Sequence, residues 1–222
     1  MPVNIEAYQI LKKELEEKQV TLVAVSKTKP VEDILELYDL AHRDFGENYV
    51  QEMLTKAGQL PKDIRWHYIG HLQSNKVKLI APFVQLIHGV DSLKLLEEIN
   101  KQGKKQDRVI DCLLQVHIAM EETKFGMDES EINDLMSRYR NEEMSNVRIV
   151  GLMGMASFTD NMNKVRQEFQ NLKRIFDRLK THDSRLTTLS MGMSSDYKIA
   201  IEEGSNMVRI GSLIFGERAK AD

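Results

Sequence analysis

The sequence predicts an α/β protein: a (β/α)8 barrel of the TIM type with one extra helix at its N-terminus. Two observations carry this. Apolar, β-branched runs of strand length alternate eight times with stretches of helical period, and the connections between them are short. No linker, low-complexity segment or break in composition divides the 222 residues, so 1–222 reads as a single domain. The units share no sequence repeat, so the reading rests on the count, and an open doubly wound sheet is the alternative.

Residues 3–18 place Ile5, Tyr8, Leu11 and Leu15 on one stripe amid charged residues, which makes a leading amphipathic helix. The first strand is 21–25, an apolar run that stops at Ser26 and Lys27. Pro30 suits the first turn of the helix 31–41 that follows. A strand at 44–48 leads to a helix at 49–57. The third strand, 65–69, leads to a short helix ending at Ile80. The fourth, 86–90, is closed by Asp91 and Ser92, the N-cap of a helix at 93–102. The fifth, 108–118, precedes a helix that Asp128 or Ser130 can cap, running to Tyr139. The sixth is 147–155, with a long helix at 164–179. The seventh, 187–190, enters the helix 196–203 through Met191-Gly192-Met193-Ser194-Ser195. The eighth, 207–210, enters Gly211, Ser212 and a last turn at Phe215-Gly216-Glu217.

Composition narrows the function classes. Lysine plus arginine number 31 against 34 aspartate plus glutamate, a formal charge of −3, with the signs interspersed. A nucleic-acid binder more often gathers its basic residues into a stripe, so that class is set aside. Cys112, the single cysteine, lies in an apolar run and reads as buried filler. No signal-like start is present, and no apolar run approaches the roughly 20 residues of a membrane span. The chain is expected to be cytoplasmic and away from membranes. With no extra apolar surface helix in view, it is expected to be monomeric. The six histidines lack metal-site spacing, so no metal is expected. His67 and His88 fall within strands and read as hydrogen-bonded core residues.

In such a barrel the residues following each strand converge on one face, which carries the active site, and phosphate commonly binds at the loops after strands seven and eight. Here that face receives Lys27, Glu47, Asn48, His71, Asp91, His117, Ser157, Ser194, Ser195, Arg209, Gly211 and Ser212. A lysine with an apolar stem in low-dielectric surroundings can lose its proton and form a Schiff base, although a loop lysine taken alone is more commonly just solvated. Gly192, Ser194 and Ser195 stand directly before a helix, where N–H groups, hydroxyls and the helix dipole can face an anion. Taken alone, such residues are more commonly ordinary cap and turn residues. A lysine opposite a phosphate anchor suits pyridoxal 5′-phosphate, and a Schiff-base aldolase acting on a sugar phosphate needs the same parts. The residues by themselves leave both open.

Six motifs in order resemble the pyridoxal-phosphate homeostasis protein family, single-domain relatives of the alanine racemase N-terminal barrel. They are Val25-Ser-Lys-Thr-Lys-Pro30, Phe45-Gly-Glu-Asn-Tyr-Val-Gln-Glu52, Trp66-His-Tyr-Ile-Gly-His-Leu-Gln-Ser-Asn-Lys76, Gly151-Leu-Met153, Leu189-Ser-Met-Gly-Met-Ser194, and Met207-Val-Arg-Ile-Gly211 with Ile214-Phe-Gly216. The resemblance implies the alanine racemase N-terminal-domain-like barrel of PLP fold type III, with pyridoxal phosphate (PLP) as cofactor. It implies Lys27 as the Schiff-base lysine and Lys29 as its nearby competitor. It places the phosphate on Ser194, Gly211 and Ser212, Arg209 at the pyridine nitrogen and Asn48 beside the ring, with Met193, His71 and His117 as further candidates.

The implied function is intracellular PLP (vitamin B6) homeostasis, carrying or buffering the cofactor without robust catalysis, with transient contact to PLP-dependent apoenzymes. The racemases add a β-domain with an opposing tyrosine, whereas this sequence stops just after the eighth strand. A PLP-dependent amino-acid racemase and a PLP-sensing regulatory protein remain as alternatives. His117 stands where the family usually has asparagine, Ser195 where aspartate is common, Asn206 where threonine is common, and Ser212 where threonine is usual. Lys76 and Lys124 lie near predicted loop ends, and the sequence leaves open whether either offers a second cofactor site.

Overall fold

A computed structural model describes residues 3–119, 126–141 and 144–216. Within them β1 (Thr21–Val25) pairs in parallel with β2 (Asp44–Glu47). The pairing continues through β3 (Arg65–Tyr68), β4 (Val84–Val90), β5 (Ile110–Val116), β6 (Val147–Gly154), β7 (Thr188–Ser190) and β8 (Met207–Ile210). Strand β8 then returns to β1, with Thr21, Leu22, Val23 and Ala24 opposite Met207, Val208, Arg209 and Ile210. The sheet is therefore a closed barrel, and the open doubly wound alternative is excluded. Lys124 and Glu217 lie outside the described residues.

The helices are α1 (Ile5–Glu17), which precedes the barrel, then α2 (Val31–Asp39), α3 (Val50–Gln59), α4 (Val77–Ile80), α5 (Leu93–Lys105), α6 (Glu129–Asn141), α7 (Met162–His182), α8 (Tyr197–Glu202) and α9 (Ser212–Phe215). Local chemistry sets their ends. Ser92 Oγ accepts from the Leu95 N–H and caps α5 as expected. Of the two candidate caps for α6 the structure uses Asp128. Its carboxylate accepts from the Glu131 N–H while Glu131 accepts from the Asp128 N–H, a reciprocal capping box. Helix α7 starts earlier than its apolar period suggests because Asn161 caps it. Helix α5 runs past its expected end at residue 102. A Cβ on Gly103 would lie 2.4 Å from the Asn146 carbonyl oxygen, so this glycine lets the helix close onto the β5–β6 side of the barrel.

Two apolar regions result, one on each face of the sheet. Between strands and helices lie Phe45, Trp66, Ile87, Leu114, Ile149 and Leu189 against Ile34, Met53, Leu96, Ile132 and Phe169. Inside the barrel a smaller set, Val23, Leu86, Leu113, Met153 and Met207, packs separately. Leu113 and Leu114 are chain neighbours and fall one in each, as the two-residue strand period requires. Cys112 is fully buried, and burial pushes its thiol pKa well up, which suits the filler role.

His67 and His88 are buried core residues with hydrogen-bond partners, as expected. His67 Nδ1 lies 3.0 Å from His88 Nε2, and His67 Nε2 lies 3.0 Å from Asp44 Oδ1. His42 is buried on the outer face between Tyr8 and Phe45, edge-on to both rings, with Nε2 2.9 Å from the Asp44 carbonyl. Burial lowers its pKa from 6.5 to about 4. In that interval the unfolded chain binds a proton that the folded chain refuses, so stability falls as pH drops. We expect His42 to account for about 3 kcal/mol of lost stability between pH 6.5 and about pH 4. Burial also lowers the pKa of His88 well below the usual imidazole value, and this adds to the loss in the same direction. Urea melts across this range should show a shallower pH slope for His42→Phe than for the unchanged protein.

Candidate functional site

The loop after β1 is held from three sides. Ser26 Oγ donates to Glu47 Oε1 at 2.6 Å. Lys56, itself buried, donates to the Ser26 carbonyl at 2.7 Å, to Glu47 at 2.8 Å and to Glu52 at 2.7 Å. The Thr28 N–H donates to Glu52 at 2.5 Å. Thr28 has φ of +64°, a left-handed conformation that a β-branched residue adopts only under constraint. Lys27 is thus set, half-buried, between two fixed residues. Burial holds the Glu47 carboxyl above its usual range even with Lys56 beside it.

The loops after β7 and β8 meet across from Lys27. Gly192 has φ of +98°, and a Cβ there would come within 2.6 Å of Ala200 Cβ, so no other residue fits this turn without displacement. Asp196 accepts from the Met193 N–H at 2.6 Å and shapes the loop ahead of α8. Ser194 Oγ accepts from the Gly211 N–H at 3.4 Å and ties the two loops together. Lys29, which follows in the first loop, donates to the Phe215 carbonyl at 2.6 Å.

Arg209 is buried, and its guanidinium donates to Ser190 O at 3.0 Å, Ser190 Oγ at 2.6 Å and Gly154 O at 3.1 Å. A guanidinium carries more donors than these three acceptors use. Burial lowers its pKa to about 10, which still leaves it protonated at neutral pH. Asn48 Oδ1 is buried without a hydrogen-bond partner among the described residues. A buried amide oxygen of that kind normally has one.

One cavity of about 530 Å³, a size ordinary for a small ligand, gathers these groups. Lys27, Asn48, Met193, Ser194, Arg209, Gly211 and Ser212 line it, and Lys29 and Ser195 join them. His71 and His117 are not among its lining residues. His71 is exposed, with Nδ1 3.1 Å from Asp91 Oδ2. The His117 N–H donates to the Met127 carbonyl at 2.9 Å. Ile69, Met155 and Phe158 supply an apolar wall; none of them was expected at the site, although each lies at or just beyond a strand end. A second cavity, about 570 Å³, opens at the other end of the barrel. Its Asp44–Arg65 and Asp111–Arg148 pairs neutralise one another, and in this architecture chemistry collects at the opposite face.

The family model for the alanine racemase N-terminal domain matches residues 5–219. The chain belongs to the alanine racemase N-terminal domain family. Its curated relatives include proteins named Pyridoxal phosphate homeostasis protein. That of Aquifex aeolicus is 42% identical over 89% of this chain and 86% of its own length. That of Escherichia coli K12 is 37% identical over 90% and 87%. Among solved structures, PipY of Synechococcus elongatus with PLP bound superposes at a TM-score of 0.87, with 33% identity over 95% of this chain and 99% of its own. An alanine racemase from Bartonella henselae shares the fold at a TM-score of 0.69 and 17% identity, and this chain covers 59% of it.

Among the described residues no helix is long and apolar enough to cross a membrane. None of their histidine, cysteine, aspartate and glutamate side chains form a group able to hold a metal ion. Removing Lys56 would leave Glu47 buried with Ser26 as its remaining partner. Lys56→Met is expected to cost roughly 3 kcal/mol, read as a lower urea midpoint at unchanged slope.

Proposed function

We propose that this chain binds pyridoxal 5′-phosphate in the cavity after β1, β7 and β8 and serves in holding and releasing that cofactor. The carrying observation is the placement of Lys27 on one wall and the joined Ser194 and Gly211–Ser212 loops on another. The residues present suit the group. Lys27 is its covalent anchor, and Ser194, Gly211 and Ser212 hold the phosphate. Arg209 would donate to the pyridine nitrogen, and the Asn48 amide, whose oxygen has no partner among the described residues, would lie beside the ring. The names of the curated relatives and the PLP in the PipY structure support the same ligand.

PLP supplies an electron-withdrawing ring and an aldehyde carbon that amines attack. What this chain adds is Arg209. A guanidinium has no acceptor, so it donates to the ring nitrogen and disfavours protonation there. That leaves the ring a weaker electron sink, which favours keeping the cofactor over using it. The working partners in this reading are PLP itself and PLP-dependent apoenzymes that accept it, with the barrel 1–222 acting as one domain in the cytoplasm.

Lys27→Ala should abolish the visible absorbance of the PLP-loaded protein and the borohydride-trapped peptide adduct, with an unchanged circular dichroism spectrum. An adduct that persists in this variant would move the anchor to Lys29 or another lysine. Racemisation of either enantiomer of several amino acids is expected to stay below about 1 s⁻¹, the low end of ordinary enzyme turnover. Faster turnover would make the protein a racemase.

A further inference from the structure

Five polar side chains form a line through the interior of the barrel. Asp44 is on β2, His67 on β3, His88 on β4, Ser190 on β7 and Arg209 on β8. His67 and His88 are 3% and 0% exposed, Ser190 0% and Arg209 4%. Strands β4 and β7 are not neighbours in the sheet, so the contact of His88 Nδ1 with Ser190 Oγ at 3.3 Å crosses the lumen. The line begins in the cavity at one end of the barrel, where Arg209 is part of the lining. It finishes in the cavity at the other end, which His67 and Asp44 help to line.

The two ends of the line are chemically one-sided. A guanidinium only donates, and an ionised carboxylate only accepts. Asp44 is held ionised, well below the usual carboxylate range, by the Arg65 guanidinium at 2.7 and 2.5 Å and by His67, against the opposing effect of burial. Arg209 donates to Ser190 Oγ at 2.6 Å, which leaves the serine hydrogen available for His88 Nδ1. His88 then keeps its proton on Nε2 and donates to His67 Nδ1 at 3.0 Å. His67 keeps its proton on Nε2 and donates to Asp44 Oδ1 at 3.0 Å. A doubly protonated His67 would reverse the middle of the line. His88 would then donate to Ser190, and the serine hydrogen would lose its acceptor in a fully buried place.

We propose that Ser190, His88, His67 and Asp44 are positioning residues for Arg209, fixing its guanidinium at the cavity wall through a chain of hydrogen bonds that all run in one sense, with both imidazoles neutral. This rests on the proposed function insofar as Arg209 faces the PLP ring. The order of the hydrogen bonds does not depend on it. The column turns the direction of Arg209 into a property of five strands instead of one flexible side chain.

The test begins with 15N-histidine NMR of the protein without added PLP. Both His67 and His88 should appear as neutral Nε2–H tautomers at neutral pH, and Ser190→Ala should shift the His88 Nδ1 resonance. A proton on Nδ1 of either ring, or a charged ring, overturns the proposal with no reference to any cofactor. The second part is PLP titration. Ser190→Ala should bind about tenfold more weakly, the effect of one lost hydrogen bond, and Ser190→Thr, which keeps the hydroxyl, should recover most of that loss. Equal affinity of Ser190→Ala and the unchanged protein overturns the positioning role. If the unchanged protein binds no PLP, the proposed function fails and takes the role toward the ring with it. The tautomers still decide the hydrogen-bond order.

Discussion

The parallel hydrogen bonds between β1 and β8 join the two ends of the chain, and the cavity exists only where they form. Lys27 and Lys29 leave the end of one strand, Gly211 and Ser212 the end of the other. The Lys29 bond to the Phe215 carbonyl spans 186 residues. The Asn4 N–H likewise donates to the Ile214 carbonyl, so α1 is tied to the last turn of the barrel. Closing a loop of this length costs conformational entropy that grows only slowly with length, but it must be met before the long-range pairing contributes anything. A site assembled from the loops after the first and last strands is therefore lost as a unit when closure fails.

A closed sheet also needs a filled interior, and this one is filled in two ways. Val23, Leu86, Leu113, Met153 and Met207 provide apolar volume. The rest is polar, which is tolerable only because each group finds a partner, since an unpaired buried donor or acceptor costs about as much as several ordinary hydrogen bonds contribute. The neutral form of His88 follows from its complete burial, and the ionised form of Asp44 follows from Arg65. Arg209 is the one buried cation among these interior groups, and its three acceptors hold it in a fixed place. Outside the barrel, Lys56 does the same for the first loop, compensating Glu47 while holding the Ser26 carbonyl. The wall at the first loop and the wall at Arg209 thus each rest on a buried charged group that is itself fixed by hydrogen bonds.

The strands were legible because parallel strands buried on both faces read as continuous apolar runs, and the order of the barrel followed from counting them. β1 and β8 fall on their expected residues, since Lys27 and Gly211 interrupt the runs sharply. Helix ends were less legible, because Asn161 and Gly103 act through a cap and through packing against Asn146, neither of which leaves a periodic trace. The cavity's polar groups could be placed from strand ends and motifs. Its apolar wall could not, because Ile69, Met155 and Phe158 look like any other strand-end residues until the loops are folded. His67 and His88 were readable as satisfied core residues. That they join Asp44 to Arg209 was not, because Ser190 completes the line from a strand that is not adjacent to β4.

The proposed role needs a ligand that is held firmly and yet leaves. The firm side lies on the first, seventh and eighth loops, where the Ser26 and Thr28 anchors, Gly192 and the Ser194–Gly211 bond fix the geometry. The permissive side lies on the opposite wall. Phe158 is 92% exposed at the edge of the cavity it lines, and Lys27, facing it from the firm side, is itself only half-buried. A covalent link between an aldehyde carbon and a lysine is undone by water, so an anchor within reach of solvent can release what it holds, whereas a sealed one would trap it. In the proposed role, a phosphate site beside a lysine within reach of water would separate recognition from attachment. An amino-acid enzyme gains from excluding water around its reacting atoms. A carrier gains from admitting it, and in the proposed role the wall that carries the exposed Phe158 would be its entrance.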